Sequence, residues 1–169
     1  MAAPVVDITT SHGSFSIELD PLKAPASVAN FLAYVDAGHY DGTIFHRIIP
    51  TFMVQGGGYD QMYEKKPVRA PIQNEADNGL KNKRGTVAMA RTGEPHSATA
   101  QWFVNVVDNG FLDHTSKDER GWGYAVFGKV VEGMEIVDEI GSRPTGPKGP
   151  FDRSVPVDPV IIEKMELLP

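Results

Sequence analysis

Two polar residues, Arg47 and Gln55, each interrupt an aromatic and aliphatic run of the chain. Arg47 lies within residues 43–49, Gln55 ends the run 52–55, and Pro50 lies in the turn between them. An arginine is always charged and carries five N–H donors, so it offers hydrogen-bond donation rather than proton transfer. A guanidinium enclosed by apolar residues is costly unless it is paired or borders a ligand site. One interpretation of the segment is therefore a ligand site beside Arg47.

A second interpretation of Arg47 is open at this point. It could be a surface residue whose apolar stem lies along a core hairpin while its charged head reaches water. If both runs are strands, period-two alternation places Arg47 on one face with Phe45 and Ile49, and it places Met53 on one face with Gln55. Both interpretations agree with that alternation, so the choice needs a further signal from the sequence.

Several familiar kinds of active site are excluded by the sequence. The chain has no cysteine, which excludes disulfides, thiolate zinc sites and a cysteine nucleophile. No G-x-S-x-G motif occurs, and in the stretch 141–148 Pro147 stands where a phosphate-binding loop needs lysine. No two histidines are spaced i, i+4 as a helical metal site requires. The scattered histidines are His12, His39, His46, His96 and His114.

Composition and charge narrow the range of partners. The chain has 169 residues, with 16 basic and 22 acidic side chains and a net charge of −6. Nucleic acids and anionic membranes select a dense basic face, and a membrane span needs about 20 apolar residues in a row. Residues 1–7 lack the basic start of a signal peptide. We therefore expect one domain over residues 1–169, located in the cytoplasm, with no nucleic-acid or membrane partner.

The pattern of apolar residues predicts many short strands and two helices. Residues 5–19 alternate around Gly13 and predict a hairpin, and apolar residues recur with helical spacing from Pro25 to Gly38 and over 134–140. The remaining strand-like runs are 43–49, 52–55, 86–90, 102–107, 124–131 and 160–167. About eight strands usually close into a barrel or stack as a sandwich, with the helices covering what the sheet leaves open.

Four blocks of sequence match a known pattern in the same order along the chain. Residues 45–57 read F-H-R-x-I-x-x-F-M-x-Q-G-G, and the blocks Met-Ala-Arg-Thr at 89–92, Ser-Ala-Thr-Ala-Gln-Trp-Phe at 97–103 and Tyr-Ala-Val-Phe-Gly-Lys-Val at 124–130 follow. The chain strongly resembles the cyclophilin family of peptidyl-prolyl cis/trans isomerases, and within it most resembles the bacterial cytoplasmic branch. This resemblance favours the ligand-site interpretation of Arg47.

The resemblance implies a fold, a reaction and a site. The fold would be a closed eight-stranded antiparallel β-barrel capped by two α-helices, with a proline pocket on its outside. The reaction would be rotation about Xaa-Pro bonds in peptides and folding proteins, by a monomer that needs no metal or cofactor. By matched position, Arg47 and Gln55 would be catalytic. The substrate would contact His46, Phe52, Met53, Ala90, Arg91, Thr92, Gln101, Phe103, Phe111, Leu112 and Tyr124, with backbone groups offered by residues 90–92.

This sequence departs from the family pattern at three positions. Phe111 stands where many eukaryotic members carry tryptophan, and Tyr124 where they carry histidine. Because the missing indole N–H donates toward cyclosporin, we expect weaker inhibition by cyclosporin with catalysis retained. Trp102 replaces a commoner phenylalanine, and alternation points it away from Phe103, so we expect it in the core.

Two other classes of function remain open from the sequence. A non-catalytic proline-peptide binding module, or a chaperone, would use the same pocket without needing Arg47. A small-molecule binder would instead hold its ligand inside the barrel. Barrels of about eight strands leave little interior room, and the residues expected to fill it are Phe15, Phe31, Val126 and Phe127.

Overall fold

The computed structural model describes residues 3–169. Met1 and Ala2, which formed part of the argument about the start of the chain, lie outside the described residues. None of the helices in this described part is long and apolar enough to cross a membrane. The elements are β1 (Val5–Thr10), β2 (Gly13–Leu19), α1 (Pro25–Asp36), β3 (Arg47–Ile49), β4 (Met53–Gly56), β5 (Thr86–Met89), β6 (Trp102–Asn105), β7 (Val126–Glu132), α2 (Met134–Gly141), β8 (Thr145–Lys148), β9 (Phe151–Pro156) and β10 (Ile162–Leu167), with 3-10 turns at Ala76–Asn78 and Gly110–Leu112.

Eight of these strands form one antiparallel sheet in the order β10-β1-β2-β7-β5-β6-β4-β3. The predicted hairpin around Gly13 is confirmed as β1 and β2, in which Val6 pairs with Ile17 and Ile8 with Phe15. Alternation in these two strands turns the apolar residues to one side, where they are buried. The fold is therefore mostly β with two helices, as predicted.

The sheet is curled but open, so the prediction of a closed barrel is wrong. The end strands β3 and β10 share no ladder among the described residues, and the segments just before them meet over a short stretch around an isolated bridge between Ile44 and Ile161. Residues 43–46 were predicted to belong to the strand that contains Arg47. Their backbone groups are divided between different partners: the Ile44 N–H donates to the Tyr59 carbonyl and the Phe45 N–H to that of Val160. These contacts stop at isolated bridges and do not extend into a ladder between β3 and β10, so the sheet stays open there.

Both predicted helices are confirmed, and they cover the curled sheet. Pro25 begins α1, where its missing N–H costs no hydrogen bond, and Gly38 follows α1 with a φ of 71°. The apolar stripe of α1 places Phe31 in the core, and α2 places Val137 and Ile140 there. Helix α1 packs against β10, and α2 packs against β2, β3 and β4.

The sheet has two faces that differ in what they bury. The inner face, turned toward the helices, holds the main core, which includes Phe15, Phe31, Phe127 and the fully buried Trp102. The expected core position of Trp102 is therefore confirmed. An interior filled by these side chains also contradicts a small-molecule site inside the barrel. Val126 was expected inside as well, but it packs in a second, smaller apolar cluster on the outer face.

The strands that carry the two polar residues show the same alternation. In β4, Met53 and Gln55 share the outer face as predicted, and Val54 between them is buried in the main core. The prediction that Phe45 shares a face with Arg47 is wrong. Phe45 is fully buried in the main core, because β3 begins only at Arg47 and alternation does not extend back to residue 45.

The sequence did not predict the hairpin formed by β8 and β9. Its strands pair Gly146 with Val155 and Lys148 with Phe151. Because glycine and proline crowd residues 146–150, this stretch is typical of a loop rather than of a strand. Strand β9 packs against β3, so the hairpin lies beside the strand that carries Arg47.

Candidate active site

A cavity of about 280 Å³ opens on the outer face of the sheet. Strands β3, β4 and β6 form its floor. Its walls come from the turn before β4, the loop after β5, the turn at Gly110–Leu112 and the loop before β7. All of the residues that line it were predicted site residues. They are Arg47, Phe52, Met53, Gln55, Ala90, Arg91, Phe103, Phe111, Leu112 and Tyr124.

Three of these residues form a row across the floor of the cavity. Arg47 in β3 pairs in register with Gln55 in β4, and Gln55 pairs with Phe103 in β6. Arg47 Nη1 donates to Gln55 Oε1 at 3.3 Å, and Gln55 Nε2 donates to Gln101 Oε1 at 2.9 Å. Gln101 thus lies outside the lining but holds the amide of Gln55, which in turn accepts from the guanidinium.

Arg47 is exposed rather than enclosed. This exposure agrees with the interpretation of Arg47 as a surface residue whose charged head reaches water, and it contradicts an enclosed guanidinium. Among the described residues, its guanidinium bonds only to Gln55, so most of its N–H donors point to no protein acceptor. A fixed positive charge with free donors beside an apolar cavity is suited to hold a polar group of a bound molecule.

The two glycines that end the sequence motif are required by close packing behind the row. A Cβ on Gly56 would lie 2.7 Å from the carbonyl oxygen of Ile44. Gly57 has a φ of 92°, and a Cβ there would lie 2.8 Å from the ring of Tyr40. Larger residues would displace the strand that carries Gln55, so the motif preserves both the polar row and the backbone beneath it.

Aromatic rings form the sides of the cavity. Phe52 and Phe111 stack with centroids 5.6 Å apart, and Phe103 meets Tyr124 edge to face at 5.8 Å. The guanidinium of Arg91 lies 4.6 Å from the centre of the Tyr124 ring and fixes that wall. These walls present an apolar surface, with Met53 and Leu112 among its buried residues.

The backbone of residues 90–92 runs along one edge of the cavity. The Ala90 N–H donates to the Gln101 carbonyl at 3.0 Å, and the Thr92 N–H donates to Ser97 Oγ at 3.0 Å. Of the backbone groups that residues 90–92 were expected to offer to a peptide, these two N–H groups are therefore already bonded within the protein. The Arg91 N–H has no acceptor among the described residues. Thr92 itself lies outside the cavity lining.

His46 is not part of this cavity. It is buried behind β3, where its ring packs on Tyr59 at 4.7 Å and on Phe151 at 5.2 Å. Burial, helped by the neighbouring charge of Arg47, lowers the pKa of His46 to about 4, so the ring is neutral near pH 7. Within residues 3–169, no group of histidine and acidic side chains is arranged to hold a metal ion.

A network of buried asparagines supports the cavity and was missed in the sequence. Asn105 donates to Asn82 Oδ1 at 3.0 Å, and Asn109 donates both to Asn105 Oδ1 at 2.8 Å and to the Phe52 carbonyl at 2.9 Å. Asn82 reaches the Leu112 carbonyl at 3.3 Å. The only signal in the sequence was a single polar residue, Asn105, within an apolar strand.

Comparison with known proteins places this geometry in a family. The family model described as "Cyclophilin type peptidyl-prolyl cis-trans isomerase/CLD" matches residues 5–167. The chain is 58% identical over 163 residues to peptidyl-prolyl cis-trans isomerase cyp18 of Streptomyces antibioticus, covering 96% of this chain and 98% of that protein. It is 52% identical over 161 residues to peptidyl-prolyl cis-trans isomerase B of Escherichia coli (strain K12), covering 95% and 98%.

Comparison of the fold with solved structures gives the same family. A crystal structure of a Cryptosporidium parvum cyclophilin type peptidyl-prolyl cis-trans isomerase, determined in the presence of the dipeptide Ala-Pro, matches with a TM-score of 0.76 and 26% identity. The match covers 98% of this chain and 99% of that one. On both sequence and fold, this chain belongs to the cyclophilin-type peptidyl-prolyl cis-trans isomerase family.

Proposed function

We propose that this chain accelerates rotation about Xaa-Pro bonds at the outer-face cavity, with Arg47 as the catalytic residue and Gln55 as its polar neighbour. The row formed by Arg47, Gln55 and Phe103 carries the proposal. It places free guanidinium donors beside an apolar surface that can take a proline ring. The family's activity supplies the reaction, and the geometry supports the assignment of roles.

The reaction needs a hydrogen-bond donor rather than a nucleophile. Rotation of an Xaa-Pro bond crosses a barrier of about 20 kcal/mol, because the partial double bond of the amide is lost. In the twisted amide the proline nitrogen regains a lone pair that can accept a hydrogen bond. A donor aimed at that nitrogen binds the transition state more tightly than either planar form, which is the condition for catalysis. Arg47 can donate there without exchanging a proton.

The size of this effect limits what Arg47 contributes alone. A hydrogen bond to a charged group contributes about 1.5–3 kcal/mol net, which corresponds to roughly 10–200-fold in rate. Further acceleration requires other sources. The aromatic walls exclude water from the twisting amide, and an amide in low dielectric twists more readily. The hydrogen bond that Gln55 donates to Gln101 holds the Gln55 amide in place, and so keeps Arg47 directed along the row.

The flanking peptide would lie along residues 90–92. There the Arg91 N–H is the backbone donor left for an extended chain, since the Ala90 and Thr92 N–H groups are bonded within the protein. The crystal structure of the Cryptosporidium parvum protein was determined in the presence of Ala-Pro. We infer that proline-containing peptides and unfolded or folding chains are substrates here. One domain over 1–169, a monomeric state and a cytoplasmic location stay predictions.

Replacing Arg47 tests the catalytic role. Arg47→Ala should lower kcat/KM for a proline-containing peptide by about 10–200-fold, with circular dichroism and urea unfolding unchanged because the side chain is exposed. Arg47→Lys should also lose activity, since a flexible ammonium lacks the planar fork. Arg69→Ala removes an equal charge from an exposed site outside the cavity and should change nothing. Near-normal turnover of Arg47→Ala would contradict the assignment.

A binding module without catalysis would give a different result. Peptide affinity, measured by chemical-shift titration beside the turnover assay, separates the two functions. The catalytic proposal expects exchange between the cis and trans peptide to accelerate on addition of the wild-type chain. Peptide binding without accelerated exchange would favour the binding module, or a chaperone that uses the same cavity.

A further inference from the structure

A second cavity, of about 530 Å³, opens beside Arg47 and away from residues 90–92. Its walls come from β3 and from the hairpin β8–β9 that the sequence did not predict. Among the described residues, Arg47 is the one side chain that lines both cavities. A peptide bound in the first cavity therefore has a direct route past Arg47 into the second.

The far wall of the second cavity is held firmly against the sheet. The Phe151 ring packs on His46 at 5.2 Å and meets Tyr59 edge to face at 4.8 Å. This aromatic contact fixes strand β9 beside β3. The cavity is thus built by packing that exists without a ligand, and it requires no rearrangement of the hairpin.

The charges around the second cavity favour an anion. Arg47 and Arg153 both line it, and Asp152 is the single carboxylate among its described lining residues. Arg153 is exposed and forms no ion pair with any described residue. His46 adds no charge near pH 7, because burial lowers its pKa to about 4. The lining is therefore net positive, although the whole chain carries −6.

We propose that the second cavity is a subsite for an acidic side chain of the substrate, whose carboxylate is bound by Arg153. The proposal rests on the proposed function, because it assumes that the proline ring occupies the first cavity. An extended peptide advances about 3.3 Å per residue, so the acidic residue lies within a few positions of the proline. Arginine suits the role because its planar fork matches a carboxylate with two parallel hydrogen bonds.

The test uses proline peptides that differ in one flanking residue. A single Glu is moved through the positions on either side of the proline, and Gln and Lys peptides serve as matched references. Both Kd and kcat/KM are measured on the full chain. We expect Glu to be preferred over Gln by about three- to five-fold at one or two adjacent positions on one side, as for an exposed ion pair. The preference should vanish in about 0.5 M salt.

Variants of Arg153 separate this subsite from a general charge effect. Arg153→Glu should reverse the preference, so that the Lys peptide binds more tightly than the Glu peptide and the ratio of their Kd values inverts. Arg69→Glu, which makes the same charge change outside both cavities, should leave the preference intact. Asp152→Asn should enlarge the preference for the Glu peptide, since a carboxylate that competes for Arg153 is removed.

The outcomes distinguish the two proposals. Turnover of all peptides without any Glu preference, or a preference that survives Arg153→Glu, would overturn the subsite and leave the catalytic assignment standing. Absence of turnover with every peptide would overturn the proposed function. The Kd values would still decide the subsite in that case, because they require binding alone.

Discussion

Strands β4 and β6 present an inner and an outer face whose residues alternate along the same backbone. On the inner face, Val54 and Val104 are wholly buried among other apolar side chains. On the outer face, Gln55 and Phe103 border a cavity of about 280 Å³. Because side chains in a strand point alternately to opposite faces, one short segment can complete a core and build a site together.

The two faces differ in whether their side chains are already satisfied by contacts within the protein. The inner face is filled by its own side chains, so its contribution is to stability. The outer face keeps free donors on Arg47 and bare aromatic edges at Phe52 and Phe111, so its contribution is to binding a further molecule. Changes to the inner face should therefore alter unfolding, and changes to the outer face should alter ligands or turnover.

The largest expected effect comes from the inner face. Phe127→Ala removes a fully buried ring and should lower the free energy of unfolding by about 3–5 kcal/mol. The remaining folded molecules should keep their kcat/KM, because Phe127 does not line the cavity. Urea unfolding and peptide exchange, measured below the melting transition, check both statements. Phe111→Ala removes an exposed ring on the outer face and should leave the free energy of unfolding nearly unchanged. A large loss of stability there would break the contrast between the faces.

His46, buried behind β3, gives the next effect through pH. Its pKa is lowered from 6.5 to about 4, because burial disfavours the charged ring and Arg47 adds to this. The unfolded chain therefore binds a proton first as the pH falls. The contribution of neutral His46 to the free energy of unfolding is fully present above pH 6.5. It should be lost as the pH falls from 6.5 to about 4, by a total on the order of 3 kcal/mol.

The pH effect is isolated by comparison with His46→Phe. That variant keeps a ring between Tyr59 and Phe151 but does not titrate. The difference in unfolding free energy between wild type and variant should change by about 1.4 kcal/mol per pH unit across the window. Other histidines contribute equally to both proteins and cancel. A difference that is independent of pH would show that His46 is not held neutral by its surroundings.

Features of the fold and the site that depend on local sequence could be predicted, and those that depend on distant segments could not. The hairpin β1–β2 and both helices follow from local periodicity, whereas the lining of the cavity was predicted from the resemblance to the cyclophilin family. The open sheet could not be predicted, because the bonding of residues 43–46 depends on distant segments that contain Tyr59 and Val160. The hairpin β8–β9 has no local strand signal. The exposure of Arg47 depended on what covers β3, which alternation does not report.

A smaller effect concerns the ligands of the outer face. Phe111 is 75% exposed and stacks on Phe52, so it can be exchanged without disturbing the core. Phe111→Trp restores the indole N–H found in many eukaryotic relatives and should strengthen inhibition by cyclosporin by about ten-fold, the value of one hydrogen bond. Turnover of a simple proline peptide should not change. Phe111→Leu, without a donor, is the control. Equally potent inhibition of wild type and Phe111→Trp would contradict the predicted weak binding.

The smallest effect tests how the polar row works. Gln101 lies outside the lining and acts through its bond to Gln55, which accepts from Arg47. Gln101→Met keeps the length of the side chain but removes the acceptor, so kcat/KM should fall by a few-fold, as for a neutral hydrogen bond. If Gln101 only positions the row, the substitution should have no further effect when Arg47 is already alanine, because the group it directs is gone. Equal losses in both backgrounds would mean that Gln101 contacts the peptide itself. The outer face would then use the amides of Gln55 and Gln101 as two separate contacts rather than as one support for the guanidinium.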